Sequence, residues 1–378
     1  MKKVIIFLIS VVLCINIPAI ADAKEKEDEN VKAKSAVLMC MDTGEFLYTK
    51  NEYEHLSPAS VTKIMSLLLV AEAIDNRKIS LNDKVTASQE AVKMGGSQIW
   101  LEVGEAMTVD ELLKAVVVAS ANDACTALGE YVGGSSTGFV KMMNDKSNEL
   151  GLKNTNFENC TGLDDTVKNH YSCAHDLAVI SAEVMKHKVI TKYTTIWLDS
   201  LRGGETELNN TNKLVNTYNG ITGLKTGTTS NAGFCVAATA CRDNMNLVAV
   251  VLGSETSEDR FNTASYLLDA GFANYQIITP EIDKRKIKTV KVKNGVEKEI
   301  TPVVSDNVKI LTEKGNGDYT LEYNFEKSVT APINKNQRLG TISVKSKGKK
   351  AKNIYLVAPK TIQKITFAAV LREVARNI

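Results

Sequence analysis

The stretch SPASVTKIMSLLLVAEAI, residues 57–74, decides how this chain folds, because it combines a very apolar helix with a polar pair near the helix start. Pro58 stands just upstream of the first turn, and nearly every face of the following segment is apolar, which predicts a helix inside a core. Residues three apart share a helix face, so Ser60 and Lys63 project together within one turn. Lys63 either extends its charged end to solvent from the end of the helix, or it has a chemical function that requires a buried lysine despite the free-energy cost of burial.

The first 23 residues have the order of a secretory signal peptide. Lys2 and Lys3 precede an apolar run that ends in the small-residue pattern A-D-A at residues 21–23. We expect the mature chain to begin near Lys24 and to lie outside the cytoplasm. The alternative is a retained N-terminal membrane anchor, for which the apolar run is short.

Six cysteines remain after residue 23, and the sequence favours free thiols over a disulfide framework. An even count in an exported chain permits disulfides, yet Cys235 and Cys241 would lie roughly 20 Å apart along one strand. The chain has no C-x-x-C pattern, and its four histidines form no zinc-binding spacing. We therefore expect neither a metal nor another cofactor.

Charge divides the chain into two unequal parts. Residues 24–280 hold 23 Lys and Arg against 33 Asp and Glu, whereas residues 281–378 hold 21 against 10. This change predicts a domain boundary near residue 280. The basic C-terminal part either faces an anionic cell surface or is a solvated lysine-rich surface without a partner, and no nucleic-acid partner is predicted.

Hydrophobic patterning predicts an α+β fold. Two strands with a turn at residues 42–44 precede a long helical region, three strands over residues 219–254 follow it, and an amphipathic helix ends this part. The two sets of strands must meet in one antiparallel sheet. Short alternating segments after residue 280 predict a small all-β domain, and residues 361–378 predict an amphipathic helix. Its apolar stripe comprises Phe367, Val370, Leu371, Val374 and Ile378.

Three short motifs follow one another: S-x-x-K at residues 60–63, S-A-N at residues 120–122 and K-T-G at residues 225–227. Each is weak alone, but in this order, at a helix start, a helix break and on a strand, they resemble the active-serine penicillin-recognising enzymes. The stretches LSPASVTKIMSLLL, ANDACTALGEYVGGS, NHYSCAHDLA, NNTNKLV and GLKTGTTSNAGFCVAATA sharpen the likeness. They resemble the D-alanyl-D-alanine carboxypeptidases, the low-molecular-mass penicillin-binding proteins, over essentially the whole mature chain.

The resemblance implies four segments. They are a signal peptide at 1–23, a β-lactamase/transpeptidase-like serine peptidase domain at 24–280, a small β-rich domain at 281–360 and an amphipathic helix at 361–378. The expected peptidase domain has an antiparallel sheet flanked by helices and a helical subdomain. The helix either lies in the membrane interface as an anchor or packs on the β-rich domain.

The catalytic residues expected are Ser60, Lys63 and Ser120. A serine needs a base to become a nucleophile, and Lys63, buried and near the cation of Lys225, would lose its proton readily enough to be that base. Ser120 would relay a proton to the leaving D-alanine. The reaction expected is removal of the terminal D-alanine from peptidoglycan stem pentapeptides through an acyl-enzyme on Ser60, with β-lactams as covalent inhibitors.

The remaining site residues are expected to bind substrate. Asn122 would bind its amide, and the backbone N–H groups of Ser60 and Thr228 would hold the oxyanion. The set comprises Asn122, Lys225, Thr226, Gly227, Thr228 and, by resemblance alone, Arg260, with the cationic groups and Thr226 on the terminal carboxylate. Single-residue alternatives exist: Asn122 could be a helix cap, and Arg260 could pair with a neighbouring carboxylate.

Two other functions compete with this interpretation. E-T-E-L-N at residues 205–209 resembles the deacylating segment of class A β-lactamases, but it lies only about twenty residues before Lys225 and runs into the carboxypeptidase-like NNTNKLV. A catalytically silent wall-binding or penicillin-sensing protein is the other alternative, and the intact motifs oppose it. His170 and Asp176 are interpreted as loop-ordering residues. The resemblance implies export to the outer face of the cytoplasmic membrane or the cell wall.

Overall fold

The computed structural model describes residues 28–366, apart from residues 166, 306–308, 316–318 and 347–351. The predicted signal peptide lies outside this part. The helices are α1 (Lys63–Asp75), α2 (Gln89–Val92), α3 (Val109–Val118), α4 (Asn122–Gly133), α5 (Ser136–Glu149), α6 (Ala174–Val184), α7 (Lys188–Thr194), α8 (Leu214–Thr217) and α9 (Ser257–Asn274). The strands up to the end of the first sheet are β1 (Ser35–Cys40), β2 (Glu45–Lys50), β3 (Lys84–Thr86), β4 (Ala106–Thr108), β5 (Leu198–Leu201), β6 (Thr206–Asn209), β7 (Ile221–Thr229), β8 (Gly233–Arg242) and β9 (Met245–Ser254). Those that follow are β10 (Tyr275–Ile278), β11 (Val290–Lys293), β12 (Glu299–Ile300), β13 (Val303–Val304), β14 (Ile310–Glu313), β15 (Tyr319–Phe325), β16 (Ser328–Thr330), β17 (Arg338–Ser346) and β18 (Lys352–Val357).

A five-stranded antiparallel sheet in the order β2-β1-β9-β8-β7 forms the centre of the first part. Because side chains alternate along a strand, the sheet buries two separate cores. Val37 and Met39 pack with α1 and α6 on one face, whereas Ala36 and Leu38 pack with α9 on the other. This sheet confirms the predicted meeting of the N-terminal strands with those of residues 219–254, and it leaves β7 at an edge.

The helical region between β2 and β7 packs on α1. A capping box begins α3: the Thr108 hydroxyl accepts from the Glu111 backbone N–H, and the Glu111 carboxylate accepts from the Thr108 N–H. α4 begins at the S-A-N motif and packs against α1, α3 and α5. The hairpin of β5 and β6 within this region was not predicted.

The C-terminal part is β-rich, as predicted. β13, β18, β17 and β15 form one antiparallel sheet, and β11 pairs with β12 antiparallel and with β16 in parallel. Two small apolar cores support these sheets, one around Ile333 and Ile362 and the other around Ile342 and Leu356.

One ladder crosses the position where the charge of the chain changes. β10, before residue 280, pairs with β14, which comes from the basic part of the chain. Leu311 of β14 is buried in the α9-side core of the first sheet, and Lys309 forms a 2.6 Å ion pair with Asp42. The β-rich part is therefore attached to the first part by packing and charge as well as by the chain.

The helix predicted from Thr361 is wrong for residues 361–366. Ile362 bridges to Ile333, Lys364 bridges to Gly295, and Ile362 is fully buried in the β-rich core. The backbone is extended here because Ile362 fills that core and its N–H and C=O groups pair with Ile333. The apolar stripe of residues 367–378 lies outside the described residues. None of the helices that the structure describes has the length and apolar character needed to cross a bilayer.

Candidate active site

Ser60 lies on a single 3-10 turn, Ala59–Thr62, that runs directly into α1. Ala59 has a positive φ of 47°, a conformation that non-glycine residues rarely adopt and that tends to occur at functional sites. The turn leaves the Ser60 side chain partly exposed and Lys63 wholly buried. The Lys63 Nζ donates to Ser60 Oγ at 2.8 Å. The two residues predicted from their spacing are thus in direct contact.

Burial controls the charge of Lys63. The side chain is 0% exposed, and burial lowers its pKa to about 8, against the opposing influence of Cys125, Cys160 and Asp123. Its nitrogen also donates to the Thr161 carbonyl at 2.8 Å. About half of the Lys63 side chains are therefore neutral near pH 8, and a neutral amine in this place can accept the Ser60 proton.

Lys225 lies on β7 and is as deeply buried as Lys63. Burial first, and then the positive charges of Lys63 and Arg260, hold the pKa of Lys225 well below its usual range. Its nitrogen donates to the Thr226 carbonyl at 3.1 Å. Burial and two neighbouring cations therefore disfavour the charged form of Lys225. An anion bound beside it would favour the protonated form.

Gly227 lets the edge strand β7 touch the turn that carries Ser60. A Cβ at Gly227 would lie 2.9 Å from the Ser60 nitrogen and 2.7 Å from the Pro58 oxygen. Real Cβ atoms do not approach backbone this closely, so this contact requires glycine.

Thr226 and Thr228 each form a hydrogen bond with a side chain from another segment. The Thr226 hydroxyl donates to the Thr211 hydroxyl at 2.6 Å, which leaves the Thr211 proton free to donate elsewhere. The Arg260 Nη1, from α9, donates to the Gly227 carbonyl at 3.0 Å and to Thr228 Oγ1 at 2.9 Å. Burial lowers the pKa of Arg260 to about 10, so it stays cationic at neutral pH. The structure thus brings Arg260 to the end of β7.

Ser120 and Asn122 occupy the break between α3 and α4. Ser120 has a positive φ of 61°, and its hydroxyl is not hydrogen bonded to Ser60, Lys63 or Lys225. The Asn122 Nδ2 donates to the Gly95 carbonyl at 2.6 Å, whereas its Oδ1 is buried and has no partner among the described residues. That oxygen can accept an N–H from a ligand.

Sequence reasoning missed the loop that holds these parts together. It contains Thr161, whose carbonyl accepts from Lys63, and Asp164, whose Oδ2 accepts from Ser57 Oγ at 2.8 Å and from Thr229 Oγ1 at 2.6 Å. Asp164 therefore joins the start of the nucleophile turn to the end of β7. Turn residues in N-C-T-G-L-D, residues 159–164, predict a loop here but give no sign of its contacts.

His170 and Asp176 form hydrogen bonds with backbone and side-chain groups of the neighbouring loops. The Glu158 N–H donates to His170 Nδ1 at 3.1 Å, so the ring proton must be on Nε2, which donates to Thr62 Oγ1 at 2.8 Å. Burial lowers the pKa of His170 to about 4, and the ring is neutral at physiological pH. Asp176 accepts from the Asn154 N–H and the Thr155 hydroxyl.

The segment that resembles the deacylating region of class A β-lactamases lies on the β5–β6 hairpin. Glu205 and Glu207 are exposed at the tip and on β6 of the β5–β6 hairpin. Across the described ranges, no group of three or more His, Cys, Asp and Glu side chains is arranged to hold a metal ion.

Two family models match the chain. Residues 22–256 match the model described as D-alanyl-D-alanine carboxypeptidase, and residues 279–364 match the C-terminal domain of penicillin-binding protein 5.

Similar curated proteins and solved structures agree with these matches. The D-alanyl-D-alanine carboxypeptidase DacF of Bacillus subtilis (strain 168) is 43% identical, over 93% of this chain and 91% of its own. DacC of Escherichia coli (strain K12) is 32% identical, over 91% and 88%. Penicillin binding protein 5 from Haemophilus influenzae superposes with a TM-score of 0.78 at 30% identity, over 88% of this chain and 98% of that one. Penicillin-binding protein D2 from Listeria monocytogenes, solved in the ampicillin bound form, has a TM-score of 0.59 at 31% identity, over 64% and 98%.

Proposed function

The chain belongs to the D-alanyl-D-alanine carboxypeptidase family, and from this premise we propose that Ser60 is its nucleophile and Lys63 the base that activates it. The family acts through a serine acyl-enzyme. The observation that carries the assignment to these two residues is the 2.8 Å contact between a fully buried Lys63 nitrogen and Ser60 Oγ. The substrate proposed is a peptidoglycan stem pentapeptide that ends in D-Ala-D-Ala.

Acylation begins with proton transfer from Ser60 to neutral Lys63. Ser60 Oγ attacks the carbonyl carbon of the penultimate D-alanine as its proton passes to Nζ. A pKa of about 8 supports this role, because a lysine with its ordinary pKa would be almost wholly protonated at neutral pH. The Thr161 carbonyl keeps the nitrogen in place during the transfer.

The oxyanion of the tetrahedral intermediate is held by the backbone N–H groups of Ser60 and Thr228. The close approach of β7 to the Ser60 turn at Gly227 supports this pairing, because it brings the two backbones together. Donors fixed in advance stabilise the developing charge without reorganising during the reaction.

The terminal carboxylate of the substrate binds at Lys225, Thr226 and Arg260. Two buried cations and a pair of threonine hydroxyls lie along this part of β7, and the hydroxyl of Thr211 supplies a donor that the pair leaves free. A carboxylate here offsets the repulsion between the cations. Asn122 Oδ1, the unpaired buried acceptor, receives an N–H of the substrate backbone.

Release of D-alanine requires a proton for its amine. Ser120 passes the proton from Lys63 to that nitrogen as the C–N bond breaks, and its lack of a hydrogen bond to Ser60, Lys63 or Lys225 leaves its hydroxyl available for this relay. Water then attacks the ester on Ser60, gives up a proton to the base, and frees the shortened peptide while Ser60 regains its hydrogen.

β-Lactams follow the same route in this proposal and acylate Ser60. The solved ampicillin and cefotaxime bound forms of the Listeria monocytogenes relative support binding of this class of compound. The exposed positions of Glu205 and Glu207 favour slow release over the rapid hydrolysis of a β-lactamase.

The proposal includes export and a peripheral contact with the outer face of the cytoplasmic membrane. The order of charged, apolar and small residues at 1–23 supports export. The apolar stripe with flanking basic residues after Thr366 supports the membrane contact. A catalytic domain at 24–280, a β-rich domain at 281–360 and a terminal segment remain the proposed division.

Release of D-alanine from the pentapeptide tests the proposal. Purified mature protein should convert the pentapeptide to the tetrapeptide plus one D-alanine, and Ser60→Ala should abolish the conversion. Ser88→Ala, which removes only the cap of α2, serves as the matched control and should keep full activity. Conversion by Ser60→Ala at the wild-type rate would refute the assignment.

A further inference from the structure

Trp100 is a large aromatic side chain that the fold leaves in solvent. It is 75% exposed, although its neighbours Ile99 and Leu101 are both buried in the main core. Single exposed apolar residues are common on proteins, so exposure alone does not indicate a function. The way in which the backbone is held at Trp100 distinguishes it from the other exposed aromatic residues.

The backbone at Trp100 is held in an unfavourable conformation. Its φ is 57°, a left-handed value that is a true outlier for a bulky residue. Positive φ values also occur at Ala59 next to Ser60, at Ser120 of the S-A-N motif, and at Arg202, which contacts the Ile99 carbonyl. Strain of this kind persists where the surroundings enforce it, and it gathers at functional sites.

Asp123 and Arg202 enforce this conformation. The buried Asp123 carboxylate accepts from the Ile99 N–H, at 3.2 and 3.1 Å, and from the Leu101 N–H at 3.1 Å, so it grips the backbone on both sides of Trp100. Arg202 donates to the Ile99 carbonyl at 2.9 Å and pairs with both oxygens of Glu105. The backbone on both sides of Trp100 is thus held by buried or ion-paired groups.

The loop that carries Trp100 borders the candidate active site. Asn122 donates its N–H to the Ser97 carbonyl and its Nδ2 to the Gly95 carbonyl. A Cβ at Gly96 would lie 2.8 Å from Asn122 Nδ2 and 3.5 Å from Leu163, on the loop that also holds Lys63. Since Asp123 follows Asn122 directly, the start of α4 carries both Asn122, which is proposed to bind substrate, and the carboxylate that holds the backbone around Trp100.

The reach of the chain limits what Trp100 can touch. Four residues from Gly96 to Trp100 span at most about 14 Å, at roughly 3.5 Å per residue. An extended peptide bound at Asn122 covers the same distance in about four residues. If the D-Ala-D-Ala end of a pentapeptide lies at Asn122, the residues upstream of that end fall within this greatest distance.

We propose that Trp100 is a binding residue for the part of the stem peptide upstream of D-Ala-D-Ala, with the indole packed against its side chains. This inference rests on the proposed function, because it takes its ligand from the same substrate. An indole on a fixed backbone has only two side-chain torsions to lose on binding, and it offers a large apolar surface with one N–H donor. Through Trp100 the enzyme prefers full stem peptides of peptidoglycan over short D-Ala-D-Ala analogues.

A substrate series tests the proposal through kcat/KM. The series comprises N-acetyl-D-Ala-D-Ala, the free stem pentapeptide, and the pentapeptide attached to its disaccharide. Trp100→Ala should lower kcat/KM on both pentapeptide substrates by about tenfold and leave the acetylated dipeptide unchanged. Trp100→Phe should retain most of the activity on the pentapeptide. Tyr355→Ala, which removes an exposed aromatic from the β-rich part, is the matched control and should change none of the rates.

Three results would overturn the inference: equal rates of Trp100→Ala and wild type on the pentapeptide, an equal loss on the acetylated dipeptide, or a loss confined to the disaccharide substrate. A second measurement does not need turnover. In the Ser60→Ala, Trp197→Phe protein, Trp100 is the one remaining tryptophan, and the pentapeptide should shift its emission to shorter wavelength while N-acetyl-D-Ala-D-Ala should not. An emission shift, together with a wild-type protein that releases no D-alanine from the pentapeptide, would sustain the inference and refute the proposed function. Release of D-alanine by the wild-type protein without an emission shift in the Ser60→Ala, Trp197→Phe protein would sustain the proposed function and overturn the inference.

Discussion

The buried amine of Lys63 sets the pH range in which Ser60 can be acylated. Only neutral Lys63 can accept the serine proton, and the neutral fraction falls about tenfold for each pH unit below a pKa of about 8. The rate constant for acylation by benzylpenicillin should therefore rise with pH and level off above about pH 8. Stopped-flow measurements between pH 6 and 9 check this, and a flat profile would contradict the role of Lys63.

Lys63→Arg provides the control for that profile. An arginine keeps the positive charge but stays protonated at every accessible pH, so it cannot be a base. We expect acylation to fall by about 10²–10⁴-fold and the rise with pH to disappear.

Lys225 should differ from Lys63 in what its removal impairs. Lys225→Ala takes away a cation proposed to bind the terminal carboxylate, so it should weaken turnover of a peptide with a free C-terminus far more than that of its amidated counterpart. Lys63→Ala should reduce both to a similar extent, because it removes the base. Equal effects of the two substitutions on the two peptides, measured as kcat/KM, would contradict this division of roles.

Single residues differed in how far the sequence could predict them. The contact between Ser60 and Lys63 follows from helix spacing, because residues three apart lie on one face. The contact of Lys63 with Thr161 involves a backbone carbonyl, which every residue type supplies, so no sequence pattern could indicate it. Asp164 could not be predicted either, since it joins two segments that only the tertiary fold brings together.

At the scale of elements, the site depends on one contact between a turn and a strand. Gly227→Ala would place a methyl group 2.9 Å from the Ser60 nitrogen, so β7 must move away from the nucleophile turn. We expect about 1–3 kcal/mol loss in the free energy of unfolding and slower acylation by benzylpenicillin. Gly95→Ala is the matched control, because nothing lies within 4 Å of a Cβ there. Acylation rates and thermal unfolding are measured on both variants. If benzylpenicillin acylates Gly227→Ala at the wild-type rate, the close approach of β7 to the Ser60 turn is dispensable.

Periodicity predicted most elements and missed those without a periodic pattern. The sheet strands β1, β2, β7, β8 and β9 carry clear runs of β-prone residues, and each was predicted. The β5–β6 hairpin was missed because its sequence is polar and short, with a turn of R-G-G that gave no alternating pattern on either side. Residues 361–366 were predicted to be helical because the apolar stripe, which begins at Phe367, was extended back over them; in the structure they are extended.

At the scale of the whole molecule, the two parts share structure across the change in charge. The β10–β14 ladder and the burial of Leu311 against α9 could not be predicted, because composition marks where surfaces change and not which strands pair. The acidic first part and basic second part also meet directly in the pair of Lys309 with Asp42. The β-rich part thus has a defined attachment to the domain proposed to be catalytic.

The proposed membrane contact calls for a truncation that spares the described fold. A chain ending at Thr366 keeps Ile362 in its core and removes only the apolar stripe. Full-length mature protein should float with liposomes that contain anionic lipid, less strongly at high salt, whereas the shortened chain should stay in the soluble fraction. If both proteins float equally well, or if neither floats, residues 367–378 are not the anchor.

The most direct test of the central claim is the intact mass of the mature protein after exposure to benzylpenicillin. If Ser60 is the nucleophile and Lys63 its base, the mass should rise by that of one penicillin, the adduct should map to the peptide that contains Ser60, and it should persist for minutes or longer. Lys63→Arg should show almost none of it in the same time. Rapid hydrolysis of the drug without a trapped adduct, or an adduct on another residue, would contradict the account.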